Sequence, residues 1–177
     1  MPGSAFAITD SRAGRVEPRE SDRLSLHWFT PPAPTAPKTV VVTGVFDLLH
    51  VGHLRFLHAA RAAGERLVVG VEDDQRTRAR KGPGRPIVTA AERCELLAAL
   101  EPVDAVFLIS GPTGLSPAPA YQELLAQLGP AQLAYTAGDP AAPGRRAVAA
   151  ALGAGVVEVA EVPGRSTTVI VESFTVG

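Results

Sequence analysis

The stretch Thr39-Val-Val-Val-Thr-Gly-Val-Phe-Asp-Leu-Leu-His-Val-Gly-His, residues 39–53, decides the fold. Its β-branched opening reads as a strand, its glycine as a turn, and Leu54, Leu57 and Ala60 to Ala63 continue at helical spacing. Gly64 stands where a helix ends, and Leu67 to Val71 supplies a second strand that is apolar throughout. The cycle repeats downstream. A loop from Lys81 to Pro86 precedes a helix opened by a Thr89-Ala-Ala-Glu92 capping box, and a strand follows from Ala105 to Ile109. A helix from Ser116-Pro117 to Leu128, a strand from Leu133 to Thr136, a helix from Pro143 to Leu152 and a strand from Val156 to Val159 complete the alternation. Ser166 caps a last short helix. Strands without polar alternation, separated by helices, predict an α/β fold: a parallel sheet covered on both faces. Ligands of such sheets sit beyond the carboxyl ends of the strands, which directs attention to the loops after Val42, Val71, Ile109 and Thr136.

Composition narrows the function. The chain has 177 residues, enough for one domain; 46% are apolar and 20% charged, the balance of a globular protein. Seventeen basic against eighteen acidic side chains give a net charge of −1, so no basic excess is present to hold a nucleic acid or an anionic membrane. Cys94 is the single cysteine, which fits a reducing cytoplasm. No apolar run reaches the roughly 18 to 20 residues of a membrane span, and Asp10, Arg12, Arg15 and Glu17 interrupt any secretory signal. With 15 Arg, two Lys and 29 Ala, much of the arginine and alanine reads as background. Residues 1–38 hold six prolines and no periodic apolar face, so they are expected to form a flexible or loosely docked extension dispensable for folding and chemistry. Leu24, Leu26, Trp28 and Phe29 are the residues in it that could dock on the domain or on a partner subunit.

The first strand-to-helix turn is not GxGxxG, the dinucleotide fingerprint. It places His50 and His53 three residues apart at a helix start, near one face of the first turn, with Gly52 between them allowing a ligand close to the backbone. Free N–H groups and the helix dipole favour an anion there, and phosphate is the natural guest. Three of the four histidines lie between positions 50 and 58, but no further Cys or His has the spacing of a third zinc ligand. His58 reads as a surface residue.

The segment GVFDLLHVGH, residues 44–53, resembles the HxGH signature of the nucleotidyltransferase superfamily, in its cytidylyltransferase-like branch. The similarity runs from about Val40 onward through Lys81-Gly82, Arg85-Pro86, Glu92-Arg93, Val103-Asp104, Gly138-Asp139 and Gly164-Arg165-Ser166-Thr167-Thr168. It implies a single Rossmann-like domain over residues 39–177 and transfer of a nucleoside monophosphate from a nucleoside triphosphate to a phosphorylated acceptor. The same resemblance implies that pyrophosphate leaves, that Mg²⁺ bridges the phosphates of the nucleotide without a protein metal ligand, and that the protein is a homodimer. By the same resemblance His50 and His53 donate to the triphosphate, and Lys81 closes a basic group over it from a glycine-rich loop; a solvated charge is the other reading of Lys81. Thr43, Gly44, Val45, Phe46 and Gly52 cradle the α-phosphate. Gly138, Asp139, Ser166, Thr167 and Thr168 complete the nucleotide site, Ser166 also serving as a helix cap. Asp47, Asp74, Arg85 and Arg93 are candidates for phosphate or acceptor contacts; Asp47 serves equally well as a structural residue of the turn, and Arg93 as half of an ion pair.

Residues 81–104 look most like the adenylyltransferases that make ADP-heptose from heptose 1-phosphate. Glu161 stands where cytidylyltransferases acting on glycerol phosphate or head-group phosphates carry arginine, which also favours ATP. Thr136 and Thr43 depart from the heptose pattern of Lys and Asn, so the acceptor pocket is expected to differ. A CTP-dependent enzyme acting on an alditol or head-group phosphate is the alternative, and a non-catalytic nucleotide-binding module the second. Aminoacyl-tRNA synthetases share a related histidine motif, but a neutral chain of this length has no room for tRNA recognition.

Overall fold

The computed structural model describes residues 22–33, 38–115, 117–164, 167, 170 and 171. Six strands form one sheet: β1 (Ser25–Thr30), β2 (Thr39–Gly44), β3 (Arg66–Glu72), β4 (Ala105–Ser110), β5 (Gln132–Thr136) and β6 (Gly155–Val159), in the order β1-β4-β3-β2-β5-β6. β2 to β6 run parallel, as their apolar sequences predicted, and β1 adds an antiparallel edge. Five helices among the described residues connect them: α1 (Val51–Ala62), α2 (Asp74–Lys81), α3 (Ala90–Ala98), α4 (Pro117–Ala126) and α5 (Ala142–Leu152). From β2 the chain winds outward through β3 and β4, then returns to the other side of β2 for β5 and β6. The reversal opens a crevice at the carboxyl ends of β2 and β5, where sheets of this kind bind ligands.

Alternate side chains of each strand feed the two layers. Val40 and Val42 pack with Leu57 and Ala60 of α1 and with Cys94 and Leu97 of α3. Val41, between them, packs on the opposite face with Leu124 and Leu125 of α4 and Val148 and Ala149 of α5. The predicted capping box of α3 is present, with Thr89 and Glu92 each accepting from the other's backbone N–H.

Two local expectations are corrected and one is refined. Gly64 stands just past the end of α1, as expected, but by close approach and not by a left-handed turn: the cap is a right-handed Ala63, and a Cβ on Gly64 would lie 2.5 Å from Val40 Cγ2 and 2.6 Å from the Lys38 carbonyl oxygen. Lys81 does not begin a loop: it is the last residue of α2, which the sequence reading missed. That helix has almost no apolar residue to reveal it; Asp73 caps it by accepting from Arg76 N at 2.7 Å, and Gly82, at φ 92°, ends it.

The second correction concerns residues 1–38. Residues 25–30 are not a flexible extension but strand β1, paired with β4 from Ser25↔Ser110 to Thr30↔Val106. Leu24 is buried beside it, and the Trp28 ring meets the edge of Phe107 with centroids 5.6 Å apart. Residues 1–21 and 34–37 lie outside the described residues. A chain shortened to begin at Lys38 is therefore expected to lose about 3 kcal/mol or more, the scale for exposing two buried apolar side chains. Urea unfolding of the shortened chain beside the parent checks this.

Candidate functional site

The end of β2 and the start of α1 build the site. Phe46 and Leu48 adopt φ of 55° and 50°, a left-handed conformation that costs a side-chain-bearing residue about 1–3 kcal/mol and is kept only where the surroundings impose it. The residue between them imposes it. Asp47, 2% exposed, accepts from Arg85 Nε at 2.7 Å, from Ile87 N at 3.0 Å and from Val88 N at 3.0 Å, tying the turn to the loop before α3. Its backbone carbonyl accepts from Thr167 Oγ1 at 2.7 Å. Burial pushes the Asp47 carboxyl up, but the Val88 and Ile87 N–H groups and the Arg85 guanidinium outweigh it and hold the carboxyl below its ordinary value.

His50 is the N-cap of α1, its Nδ1 accepting from Gly52 N at 3.1 Å. That bond leaves Nδ1 without a proton and puts the ring hydrogen on Nε2, where it can be donated. The His53 ring stacks on it with centroids 3.9 Å apart and receives the edge of Phe46 at 5.5 Å. Burial, then the neighbouring His50, lowers the His53 pKa to about 4 against a smaller opposing pull from Asp47. His53 is thus neutral near neutral pH, and the bond from Gly52 N leaves His50 its Nε2–H to donate. A group whose folded pKa lies below its unfolded value makes stability rise with pH across the interval between the two. The melting temperature is therefore expected to fall as pH drops from 6.5 toward 4, and less steeply in His53→Gln.

Thr43, Gly44, Val45, Phe46, Asp47, His50, Gly52, His53, Lys81, Arg85, Gly138, Asp139 and Thr167, all singled out in the sequence, line one cleft of about 380 Å³ between the ends of β2 and β5. Gly138 turns the chain at φ 78° after β5. Two candidates do not line the cleft. Arg93 is fully buried behind it, donating to Val88 O at 2.9 Å, to Val45 O at 2.5 Å and to Asp74 Oδ1 at 2.7 Å. Asp74 Oδ1 also accepts from Ala90 N, so the pair is a brace under the turn, with the Arg93 guanidinium committed to the fold. Ser166 and Thr168 lie outside the described residues.

The sequence reading missed Arg80 and Arg145. Arg145 donates to Asp139 Oδ2 at 3.0 Å, to Thr43 Oγ1 at 2.8 Å and to the Thr43 carbonyl at 3.2 Å, joining the ends of β2 and β5. In a chain so rich in arginine nothing in the sequence marks it. Arg80 lines the cleft beside Lys81 and Arg85. Burial and repulsion from Arg80 and Arg85 hold the Lys81 ammonium below its ordinary pKa, with Asp139 pulling the other way. Cations gathered around imidazole donors suit a polyanion. Among the described residues no three His, Cys, Asp or Glu side chains come together as a metal site, and no helix is long and apolar enough to cross a membrane.

Known proteins are similar to this chain in sequence and in fold. The "Bifunctional protein HldE" of Citrifermentans bemidjiense is 39% identical over 139 residues, 77% of this chain and 27% of that protein. The HldE of Geobacter sulfurreducens is 40% identical with the same coverage. The chain thus spans about a quarter of the length of these curated relatives. The crystal structure of the lipopolysaccharide core biosynthesis protein from Thermoplasma volcanium GSS1 superposes with a TM-score of 0.54 at 28% identity, covering 71% of this chain and 96% of that one. Residues 41–139, more than half of the chain, match the model of the family described as cytidylyltransferase-like. The span begins in β2, takes in the His50–His53 turn and ends at Asp139 across the crevice, and the chain belongs to the cytidylyltransferase-like family.

Proposed function

We propose that the protein is a nucleotidyltransferase that moves a nucleoside monophosphate from a nucleoside triphosphate to the phosphate of a small acceptor. The observation that carries the reading is the stacked pair of imidazoles at the start of α1, which share one cleft with Arg80, Lys81 and Arg85. An acceptor phosphate oxygen attacks the α-phosphorus, the new P–O bond forms as the bond to the β-phosphate oxygen breaks, and pyrophosphate leaves with that electron pair. The ionised acceptor has no proton to give up, so the protein positions and neutralises. His50 Nε2–H and the His53 N–H donate to oxygens on which charge builds. The three basic side chains hold the leaving pyrophosphate.

The Asp47 and Asp139 carboxylates are engaged by Arg85 and Arg145. Mg²⁺ would therefore enter with the nucleotide and not on a protein cage, and would supply charge neutralisation at its phosphates. ATP is the favoured donor and a heptose 1-phosphate the acceptor class favoured by similarity, supported by the HldE relatives and by Glu161 on the cleft wall. The test is pyrophosphate release from ATP, CTP, GTP and UTP against a panel of phosphorylated acceptors. Release from ATP is expected; purine and pyrimidine are commonly told apart by more than about 100-fold when a pocket hydrogen-bonds the base. Release from CTP with none from ATP would replace the donor, and no release from any of the four would reject the transfer.

A further inference from the structure

The arginine and lysine side chains that line the cleft come from two sides of β2. Arg80 and Lys81 close α2, which follows β3, and Arg85 stands in the loop after α2. Arg145 belongs to α5, which follows β5, and among the described residues it is the one lysine or arginine that reaches the cleft from that side. β3 and β5 pair with opposite edges of β2, so the carboxyl end of β2 stands between the two groups. We infer that Arg145 binds the phosphate of the acceptor and holds its attacking oxygen on the β5 side of the α-phosphorus. The inference rests on the nucleotidyl-transfer reading and names, within it, the cation of the attacking group.

In-line displacement decides which group serves which partner. The attacking and leaving oxygens stand on opposite sides of the phosphorus, so each needs its own counter-charge. The leaving pyrophosphate carries the greater charge and takes the side with three cations. A phosphate monoester, at about −1.5 to −2 near neutral pH, is left with the side that has one. Both anions are negative, and a cation between the acceptor and the wall of β2 offsets the repulsion that would keep them apart.

The bonding of Arg145 suits that task. Its Nε donates to Asp139 Oδ2 at 3.0 Å, and Nη1 and Nη2 each give one N–H to Thr43, to Oγ1 at 2.8 Å and to the carbonyl at 3.2 Å. One N–H on each terminal nitrogen remains for an anion. Asp139 is itself fixed, its Oδ1 accepting from Ala141 N at 2.9 Å. A guanidinium held before the substrate arrives gives up little side-chain freedom on binding. It is also held at Thr43, where the turn that carries His50 and His53 begins, so a phosphate on it lies next to the α-phosphate cradle. Arg146, its neighbour in sequence, shows the contrast: half-exposed, it donates to the Tyr135 hydroxyl at 3.0 Å and pairs with Glu158 at 3.5 Å, away from the cleft lining.

The experiment titrates the full-length protein, Arg145→Gln, Arg145→Lys and, as a control, Arg146→Gln with a heptose 1-phosphate and with ATP and Mg²⁺, and then measures pyrophosphate release. Arg145→Gln is expected to weaken the heptose 1-phosphate about 10- to 100-fold, the scale for losing hydrogen bonds from a charged donor, and to raise the acceptor KM in step. ATP binding should hold. Arg145→Lys keeps the charge without the planar fork and should recover part of the loss. A role confined to bracing the β2–β5 junction would weaken both ligands alike, and that result overturns the inference; so does an equal loss of acceptor binding in Arg146→Gln. A further measurement needs no variant. Saturating pyrophosphate with Mg²⁺ should leave the affinity of the parent for the heptose 1-phosphate unchanged, because different cations hold the two; mutual exclusion, or no binding of the sugar phosphate at all, overturns the assignment. No pyrophosphate release from any nucleoside triphosphate rejects the transfer reading and the acceptor role with it, and the binding measurements, made without turnover, tell that failure from a misplaced Arg145.

Discussion

Replacing His50 or His53 by alanine is expected to lower turnover roughly 100- to 1000-fold, the scale for losing one preorganised donor to developing charge. Binding of the triphosphate in the ground state should change far less, because Arg80, Lys81 and Arg85 remain around the cleft. The two histidines are separable by experiment. His50 caps α1 through Nδ1 as well as facing the cleft, so His50→Ala also removes a cap, at about 1 kcal/mol. Asparagine in its place can still accept from Gly52 N and lacks the Nε2 donor. His50→Asn should therefore keep the melting temperature of the parent and show the full loss of turnover. Steady-state kinetics with ATP, run beside thermal unfolding, tests both statements; near-parental turnover in His50→Asn would mean that the residue is a cap and nothing more.

The second large effect is expected at Asp47, through stability. Asp47→Ala leaves the Arg85 guanidinium without its carboxylate and the Ile87 and Val88 N–H groups without their acceptor. Breaking a buried ion pair by removing one partner costs about 3–5 kcal/mol. The left-handed Phe46 and Leu48 lose the contact that holds them, so turnover should fall as well. The pH dependence has a definite sign. A carboxyl with a folded pKa below its unfolded value stabilises the protein above the ordinary carboxylate range, and the stabilisation disappears as pH falls through the folded value. In Asp47→Ala that part of the acid-induced loss should be missing. Urea unfolding at neutral pH and at pH 3 measures both, and a shift in midpoint without a change in slope identifies the cause as stability.

Much of the parallel sheet could be read in the sequence because buried strands leave continuous apolar runs, and Val40 to Val42 or Leu67 to Val71 can hardly be anything else. What escaped has the opposite character. Strand β1 is held by pairing with residues 76 to 85 positions away, and pairing of that kind leaves no local periodicity. Helix α2, DQRTRARK, is stabilised by its cap and by Thr77, its one buried residue. In the site, motif spacing located the histidine turn and the Gly138-Asp139 turn across from it. It could not say which way a charged side chain points. Arg93 and Asp74 turn inward to brace the loop, whereas Arg145, one arginine among many, reaches from α5 to the end of β2.

The antiparallel edge strand has a consequence for the order of events during synthesis. His27 bonds to Ser110, 83 residues further along the chain. At a ribosomal rate of roughly 5–20 residues per second, β1 waits on the order of ten seconds for its partner to be made. Meanwhile β2 and β3 can already pair, while Leu26, Trp28 and Phe29 have no β4 to rest on. Of the six strands of this sheet, the one made first is thus among the later ones to join it, and a nascent chain stalled before Ser110 should carry it as an exposed apolar segment, a ready target for a chaperone.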